Sequence, residues 1–270
     1  MKKLGFTYQM LLRFSAPVTH HHFTLKCVPK SSHRQEISDL SVQVEPYGFL
    51  SRSGDGFGNE SLYGACEMAH QSFRVCVAGT VRTGLSHYEM ASDVHRLGIY
   101  QYSSRNTAPG PALLRYADDL ELRRCKDCGT RRGGNYARAL FLMEQLYRDF
   151  VYEPGATDIQ TTAEEAFVRG RGVCQDYAHI LIALCRKNGV PARYVVGMLP
   201  GEGLSHAWVE IYDDGMWLGL DPTNNLLVTD QHIKISHGRD YHDCLLNRGI
   251  FTGSATQTQE VSVVVRELTE

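Results

Sequence analysis

Apolar and polar positions change their period near residue 102. Before that point Phe23-Thr24-Leu25-Lys26-Cys27-Val28, Leu40-Ser41-Val42-Gln43-Val44 and Phe73-Arg74-Val75-Cys76-Val77 alternate with period two, as strands with one buried face do. This half therefore reads as a sandwich of short antiparallel strands. The helical period follows. Pro109 to Leu122 reads as a helix, and Arg123 to Gly134 as a basic, glycine-rich exposed loop. Ala139, Leu142, Met143, Leu146 and Phe150 then fall on one face of a helix starting near Asn135. Thr162 and Glu165 form a capping box, and Gly170 can close that helix in a left-handed conformation.

A third helix is predicted from about Cys174 to Asn188-Gly189. Arg186 and Lys187 lie in its last turn, and Pro191 follows. Its apolar stripe runs through Ala178, Leu181, Ile182 and Cys185, and one helical step back from Ala178 lands on Cys174. The thiol is thus expected at a helix N-terminus, on the inward face. Three strands come next, Ala192 to Leu199, His206 to Tyr212 and Met216 to Leu220. Asp214-Gly215 is a strong signal for a two-residue hairpin turn between the last two. If that turn holds, Asp213 pairs with Met216, Trp208 faces Asp221 and His206 faces Thr223. His206 and Asp221 are then diagonal neighbours on one face, within side-chain reach, and a one-residue slip would separate them.

The C-terminal run Glu260 to Val265 alternates in part and is expected to pair back into the sandwich. The predicted organisation is an N-terminal β-sandwich over 1–102, completed by a strand from 258–270, and a core over 103–257.

Composition narrows the class. With 270 residues, 43% hydrophobic, 21% charged and a net charge of −2, the chain is neither disordered, collagen-like nor a generic polyanion binder. The densest apolar run, Ile180 to Cys185, is far short of the ~18 residues of a membrane span, so no membrane partner is expected. The stretch after Lys2 and Lys3 is broken by Thr7, Gln9 and Arg13 and lacks a small-residue cleavage site. It does not read as a signal peptide, and the expected compartment is the cytoplasm. Eight scattered cysteines suit reduced thiols better than a disulfide framework. No nucleic acid is expected, because the basic stretch near Arg131 lacks interleaved aromatics. The pattern sets no oligomeric state.

A thiolate is favoured by a helix N-terminus and by a nearby imidazole. Cys174 has the first by position, His206 can supply the second, and Asp221 would orient the ring and stabilise its protonated form. Other candidates compete with these. His179 lies about 140° behind Cys174 around the helix and reads as structural. Asp176 is open between capping the helix and meeting substrate. Trp208 and Glu210 share the face of His206 and either line a cleft or pack. Cys125 and Cys128 form a lone CxxC, for which a plain loop outweighs a redox pair or a metal site. His20-His21-His22 reads as part of the β domain, and the glycine-rich segment from Gly54 to Gly58 as a turn, since no phosphate-loop Lys-Ser/Thr follows. No cofactor and no metal are expected.

Four segments resemble the transglutaminase-like superfamily: Gly170-Arg171-Gly172-Val173-Cys174-Gln175-Asp176-Tyr177-Ala178-His179, Gly189-Val190-Pro191-Ala192-Arg193-Tyr194-Val195, Ser205-His206-Ala207-Trp208-Val209-Glu210 and Asp221-Pro222-Thr223. With Asp55-Gly56-Phe57-Gly58-Asn59 and Gly238-Arg239-Asp240-Tyr241, the chain is similar over nearly its whole length to the bacterial transglutaminase-like cysteine peptidases. The resemblance implies an α+β fold, with a papain-like core in which the nucleophile helix packs on an antiparallel sheet, preceded by a β-sandwich. It implies Cys174 as nucleophile, His206 as acid/base and Asp221 as orienter. The implied enzyme is a cysteine peptidase or amidase that cleaves a peptide or protein amide through an acyl-thioester. The alternatives are a transglutaminase using an amine acceptor and a catalytically silent peptide-binding module. Gln175 stands where animal transglutaminases carry a tryptophan after the nucleophile, which argues against a dedicated cross-linker.

Overall fold

The structure, a computed structural model, describes residues 1–91, 94–128 and 134–269, with the side chains of 94–96 and 124–128 left aside. In chain order the first half holds β1 (Lys2–Leu25), β2 (Gln35–Glu45), β3 (Phe49–Gly54), β4 (Glu60–Cys66), β5 (His70–Thr83) and β6 (Tyr88–Met90). Then follow α1 (Pro111–Cys128), α2 (Asn135–Asp149), β7 (Val151–Tyr152), α3 (Ala163–Arg169), β8 (Arg171–Gly172) and α4 (Cys174–Lys187). The remainder is β9 (Ala192–Met198), β10 (Gly201–Gly203), β11 (His206–Asp213), β12 (Met216–Asp221), β13 (Leu226–Leu227), β14 (Ile233–Gly238), β15 (Asn247–Thr252) and β16 (Gln257–Glu267).

The N-terminal sheets are organised by β1, a 24-residue strand that starts well before the Phe23 expected from periodicity. Leu4, Phe6, Tyr8, Met10, Leu12 and Phe14 are buried, while Gln9 and Arg13 point to solvent. The polar residues that interrupt an apolar run are thus the outward positions of a strand. Through Phe14, β1 pairs with β16 on one side and β5 on the other; beyond a register break it pairs with β15 and β4. One strand therefore serves two leaves, β10-β16-β1-β5-β2 and β15-β1-β4-β3. Phe23 and Phe73, one from each leaf, meet at 4.6 Å between ring centroids.

The core sheet has the order β13-β12-β11-β9-β14, with β6 paired to β12. Sheet partners thus cross the expected boundary near 102 in both directions: β6 joins the core sheet, while β10 and β15 join the N-terminal leaves. The Gly54–Gly58 segment is the expected turn, held by Asp55 Oδ1, which accepts the N–H groups of Phe57 and Asn59. Asn59 then exchanges two hydrogen bonds with the backbone of His237 on β14, docking the turn on the core.

Among the helices, α2 buries the expected Ala139, Leu142, Met143 and Leu146. Thr162, Glu165 and the left-handed Gly170 cap α3 at both ends. The first helix runs to Cys128, beyond the expected stop at Leu122. The tip of the basic loop, 129–133, and the side chains of the CxxC pair lie outside the described residues. No helix among the described residues is long and apolar enough to cross a membrane.

The helix α4 differs from expectation in one respect. It is buried all round from Asp176 to Arg186 instead of along one stripe, because β9 and β11 cover one side and α1, α2 and α3 the other. Its polar members remain tolerable because they find partners. The Arg186 guanidinium donates to the carbonyls of Tyr100, Ala192 and Arg239 and to Thr107 Oγ1.

A close approach holds the sheet beside the site. Gly197 on β9 leaves no room for a Cβ, which would collide with the Ile233 carbonyl oxygen and the Trp208 ring. Gly197→Ala should cost about 1–3 kcal/mol, read as a lower urea midpoint at unchanged slope, whereas Gly203→Ala, where a Cβ meets open space, should leave the midpoint in place. Equal midpoints for the two variants would contradict this packing.

Candidate active site

The site is built from the start of α4 and one hairpin. Cys174 is the first residue of α4, half-buried, and the helix N-terminus leaves its leading N–H groups outside the intrahelical ladder. The approach is fixed by Asp176, whose Oδ2 accepts the Val173 N–H at 2.8 Å and the Thr157 hydroxyl at 2.6 Å. Asp176 is buried and its carboxyl is pushed up by that burial. Of the two roles open to it, it holds the turn before the thiol. Tyr152 on β7, paired with Gly172, stands exposed within electrostatic reach of Cys174.

The hairpin has the expected register. Asp213 pairs with Met216, Ile211 with Leu218 and Val209 with Leu220. The turn residues Asp214 and Gly215 have φ of 43° and 83°, the left-handed pair that a two-residue turn between twisted strands requires. His206 and Asp221 consequently meet, Nε2 to Oδ2, at 2.8 Å. The Cys174 thiol is the other group close enough to His206 to raise its pKa. With Nε2 committed to Asp221, Nδ1 is the ring nitrogen left free for the thiol.

Asp221 is fully buried, yet five donors surround its carboxylate. Oδ1 accepts the backbone N–H groups of Thr223 and Asn224; Oδ2 accepts from Asn224 Nδ2 at 2.8 Å and from His206, and lies 3.3 Å from His232 Nε2. Burial alone would raise its pKa, but the donors from His206, His232 and Asn224 and the His206 charge hold it well below the usual carboxylate range. Burial would likewise lower His206, and Asp221 and the Cys174 thiol overcome that effect and raise it to about 10.

The other candidates are placed elsewhere. His179 accepts the Tyr241 N–H at 3.1 Å through Nε2 and meets the tilted Tyr194 ring at 5.1 Å, the contacts of a structural histidine, and burial lowers it to about 4. Glu210 is buried against Arg193 at 2.6 Å and Lys234 at 2.7 Å, cations that outweigh burial and bring it down to about 2. It ties β9, β11 and β14 together rather than lining a cleft. Trp208 is buried and meets His232 edge-on at 5.3 Å. His21 sits in an aromatic cluster with Phe14, Phe23 and Phe73, as a β-domain residue should.

His232 is the site residue that sequence reasoning missed. It lies in the segment leading into β14, where no periodicity points to it. The ligand-type atoms of His206, Asp221 and His232 lie within 4.8 Å of one another, the spacing of a metal-binding group. The same atoms lie at hydrogen-bond distance, with His206 Nε2 at 2.8 Å and His232 Nε2 at 3.3 Å from Asp221 Oδ2.

Comparison with known proteins agrees with this architecture. The transglutaminase-like superfamily core matches residues 126–222, a span containing Cys174, His206 and Asp221, and the bacterial transglutaminase-like N-terminal region matches residues 5–82. The chain thus joins a transglutaminase-like core to a bacterial transglutaminase-like N-terminal region, and its fold is transglutaminase-like. An uncharacterised protein of Mycobacterium tuberculosis is 29% identical over 289 residues, covering 96% of this chain and 91% of that protein. One from Mycobacterium leprae is 37% identical over 127 residues, covering 43% and 45%. The crystal structure of a candidate cysteine protease from Cytophaga hutchinsonii superposes with a TM-score of 0.77 at 23% identity, covering 100% of this chain and 91% of that one, and shows the same fold.

The pKa shifts set a pH dependence of stability. His206 is raised, so its pairing stabilises the fold fully below its ordinary 6.5 and is lost as pH rises through about 10. Asp221 is depressed, so its contribution is present above its ordinary 3.8 and lost only in stronger acid. The gap in melting temperature between the native chain and Asp221→Asn should be widest between those ordinary values and shrink as pH climbs toward 10. A gap constant from pH 6 to 10 would contradict the assigned pairing.

Proposed function

We propose that the protein is a thiol-dependent acyl-transfer enzyme that cleaves amide or peptide bonds through Cys174, His206 and Asp221. The observation that supports it is the double engagement of His206, hydrogen-bonded to Asp221 through Nε2 and raised also by the neighbouring Cys174 thiol.

The chemistry follows from where the protons sit. Asp221 already accepts five hydrogen bonds and stays ionised, which fixes Nε2–H on His206; with the ring raised to about 10, Nδ1 holds the proton drawn from the thiol near neutral pH. Sulfur bonds to the substrate carbonyl carbon, and negative charge collects on the carbonyl oxygen. The Cys174 backbone N–H at the α4 N-terminus is the donor proposed to meet that oxygen. His206 then gives its Nδ1 proton to the amide nitrogen, the C–N bond breaks, and the amine leaves an acyl-thioester on Cys174. Water attacks the thioester, loses a proton to His206, and the S–C bond breaks to give the free acid and the starting pair of sulfur and imidazole, which share that proton. The substrate is accordingly a peptide or protein amide.

Two tests address this reading. Cys174→Ser and His206→Ala should abolish turnover while melting cooperatively, and Asp221→Asn should lower kcat on the order of 10²- to 10⁴-fold. An Asp221→Asn enzyme with unchanged turnover contradicts the assignment. Separately, mass spectrometry of products formed from a peptide in the presence of excess primary amine should show mainly the free acid, since an amine wins only where a site orients it. Dominant amine incorporation would identify a transglutaminase instead. Neither product across a broad peptide library would point to a silent binding module.

A further inference from the structure

Two of the donors on Asp221 are imidazoles, and only one of them faces the thiol. The protonation of the other is readable from its partners. His232 Nδ1 accepts the Thr229 backbone N–H at 3.2 Å, so its proton must sit on Nε2, which points at Asp221 Oδ2 from 3.3 Å. The ring is buried, and that burial lowers its pKa despite the adjacent carboxylate, which keeps it neutral. Trp208 presses edge-on against it at 5.3 Å. His232 is thus a donor with one tautomer and one orientation.

Holding Asp221 in place does not require this donor. The two backbone N–H groups of Thr223 and Asn224 fix Oδ1, and Asn224 Nδ2 fixes Oδ2. What His232 adds is a second imidazole N–H on the oxygen that His206 uses. We infer that His232 is a positioning residue that tunes His206 as an acid, by sharing Asp221 Oδ2 and so limiting how tightly that carboxylate holds the His206 proton. The inference rests on His206 acting as the acid/base proposed above.

The direction of the effect follows from the charges. Those facing His206 are Asp221 from β12 and the Cys174 thiol from α4; His232 stands behind Asp221, with the Arg34 guanidinium from the segment before β2 in electrostatic reach of it. Without the Nε2–H of His232, the Asp221 charge is less compensated and stabilises protonated His206 more strongly. The ring becomes a weaker acid toward the leaving amine. Gln at 232 can still present an N–H toward Oδ2, whereas Leu and Met fill comparable space without a donor.

The experiment is a titration of His206 by NMR in histidine-labelled full-length chain carrying Cys174→Ala, with His206→Ala used to identify the resonance. On cooperatively melting proteins, His232→Leu and His232→Met should each raise the His206 midpoint by about half to one pH unit, and His232→Gln should leave it near its starting value. With Cys174 restored, kcat should fall several-fold in the Leu and Met variants at unchanged KM and recover in the Gln variant. A midpoint that stays or falls in whichever of the Leu and Met variants fold, or a Gln variant that titrates like them, overturns the inference. The titration needs no substrate, so the two readings fail separately. The predicted shift in a chain with no turnover on any peptide would sink the proposed function alone, and a chain that turns over peptides with no shift would sink this inference alone.

Discussion

The register of one hairpin decides whether this molecule has a site at all. His206 and Asp221 lie 15 positions apart and meet only because Asp214 and Gly215 adopt left-handed backbone conformations that pair Asp213 with Met216. Side chains alternate faces along a strand, so a slip of one residue would turn Asp221 away from the imidazole. The neighbouring strands oppose such a slip. Arg193 on β9 and Lys234 on β14 both close on Glu210, buried on the same face of β11, and misplacing that carboxylate would leave charges unpaired in the interior.

The thiol is placed by a different constraint. The α4 helix is enclosed by sheet on one side and three helices on the other, and its polar residues are held at both ends. Asp176 grips the turn at Val173, and Arg186 gathers carbonyls from three separate segments. A helix fixed in this way can present its first residue to a histidine on a neighbouring element with little freedom to drift. The N-terminal leaves contribute from outside, through the Asn59 clasp on β14 and through β6, which extends the core sheet next to β12.

Much of this was legible in the sequence, for reasons that are local. Asp214-Gly215 is a dipeptide with one preferred turn, and from it the meeting of His206 with Asp221 follows by counting. Thr162, Glu165 and Gly170 mark both ends of α3 in the same way. What escaped was non-local. The full length of β1 is hidden because its outward Thr7, Gln9 and Arg13 look like interruptions until the flanking strands β5 and β16 are known. The enclosure of α4 is hidden because Arg186 looks like a surface residue until its backbone partners arrive from distant segments. His232 belongs to no periodic segment, and its importance lies entirely in a carboxylate 11 positions earlier.

The claim on which everything converges is that Cys174 is a nucleophile because of its place beside His206. Among the cysteines whose side chains are described, Cys27, Cys66, Cys185 and Cys244 are buried and only Cys174 and Cys76 are partly accessible. Accessibility alone would therefore let both react alike. The most direct measurement is the rate of iodoacetamide modification near neutral pH, mapped by peptide mass spectrometry in the native chain and in His206→Ala. Cys174 should react ahead of Cys76 in the native chain and lose that lead when His206 is removed. Prior labelling of Cys76, or a lead for Cys174 that survives the loss of His206, would contradict the account.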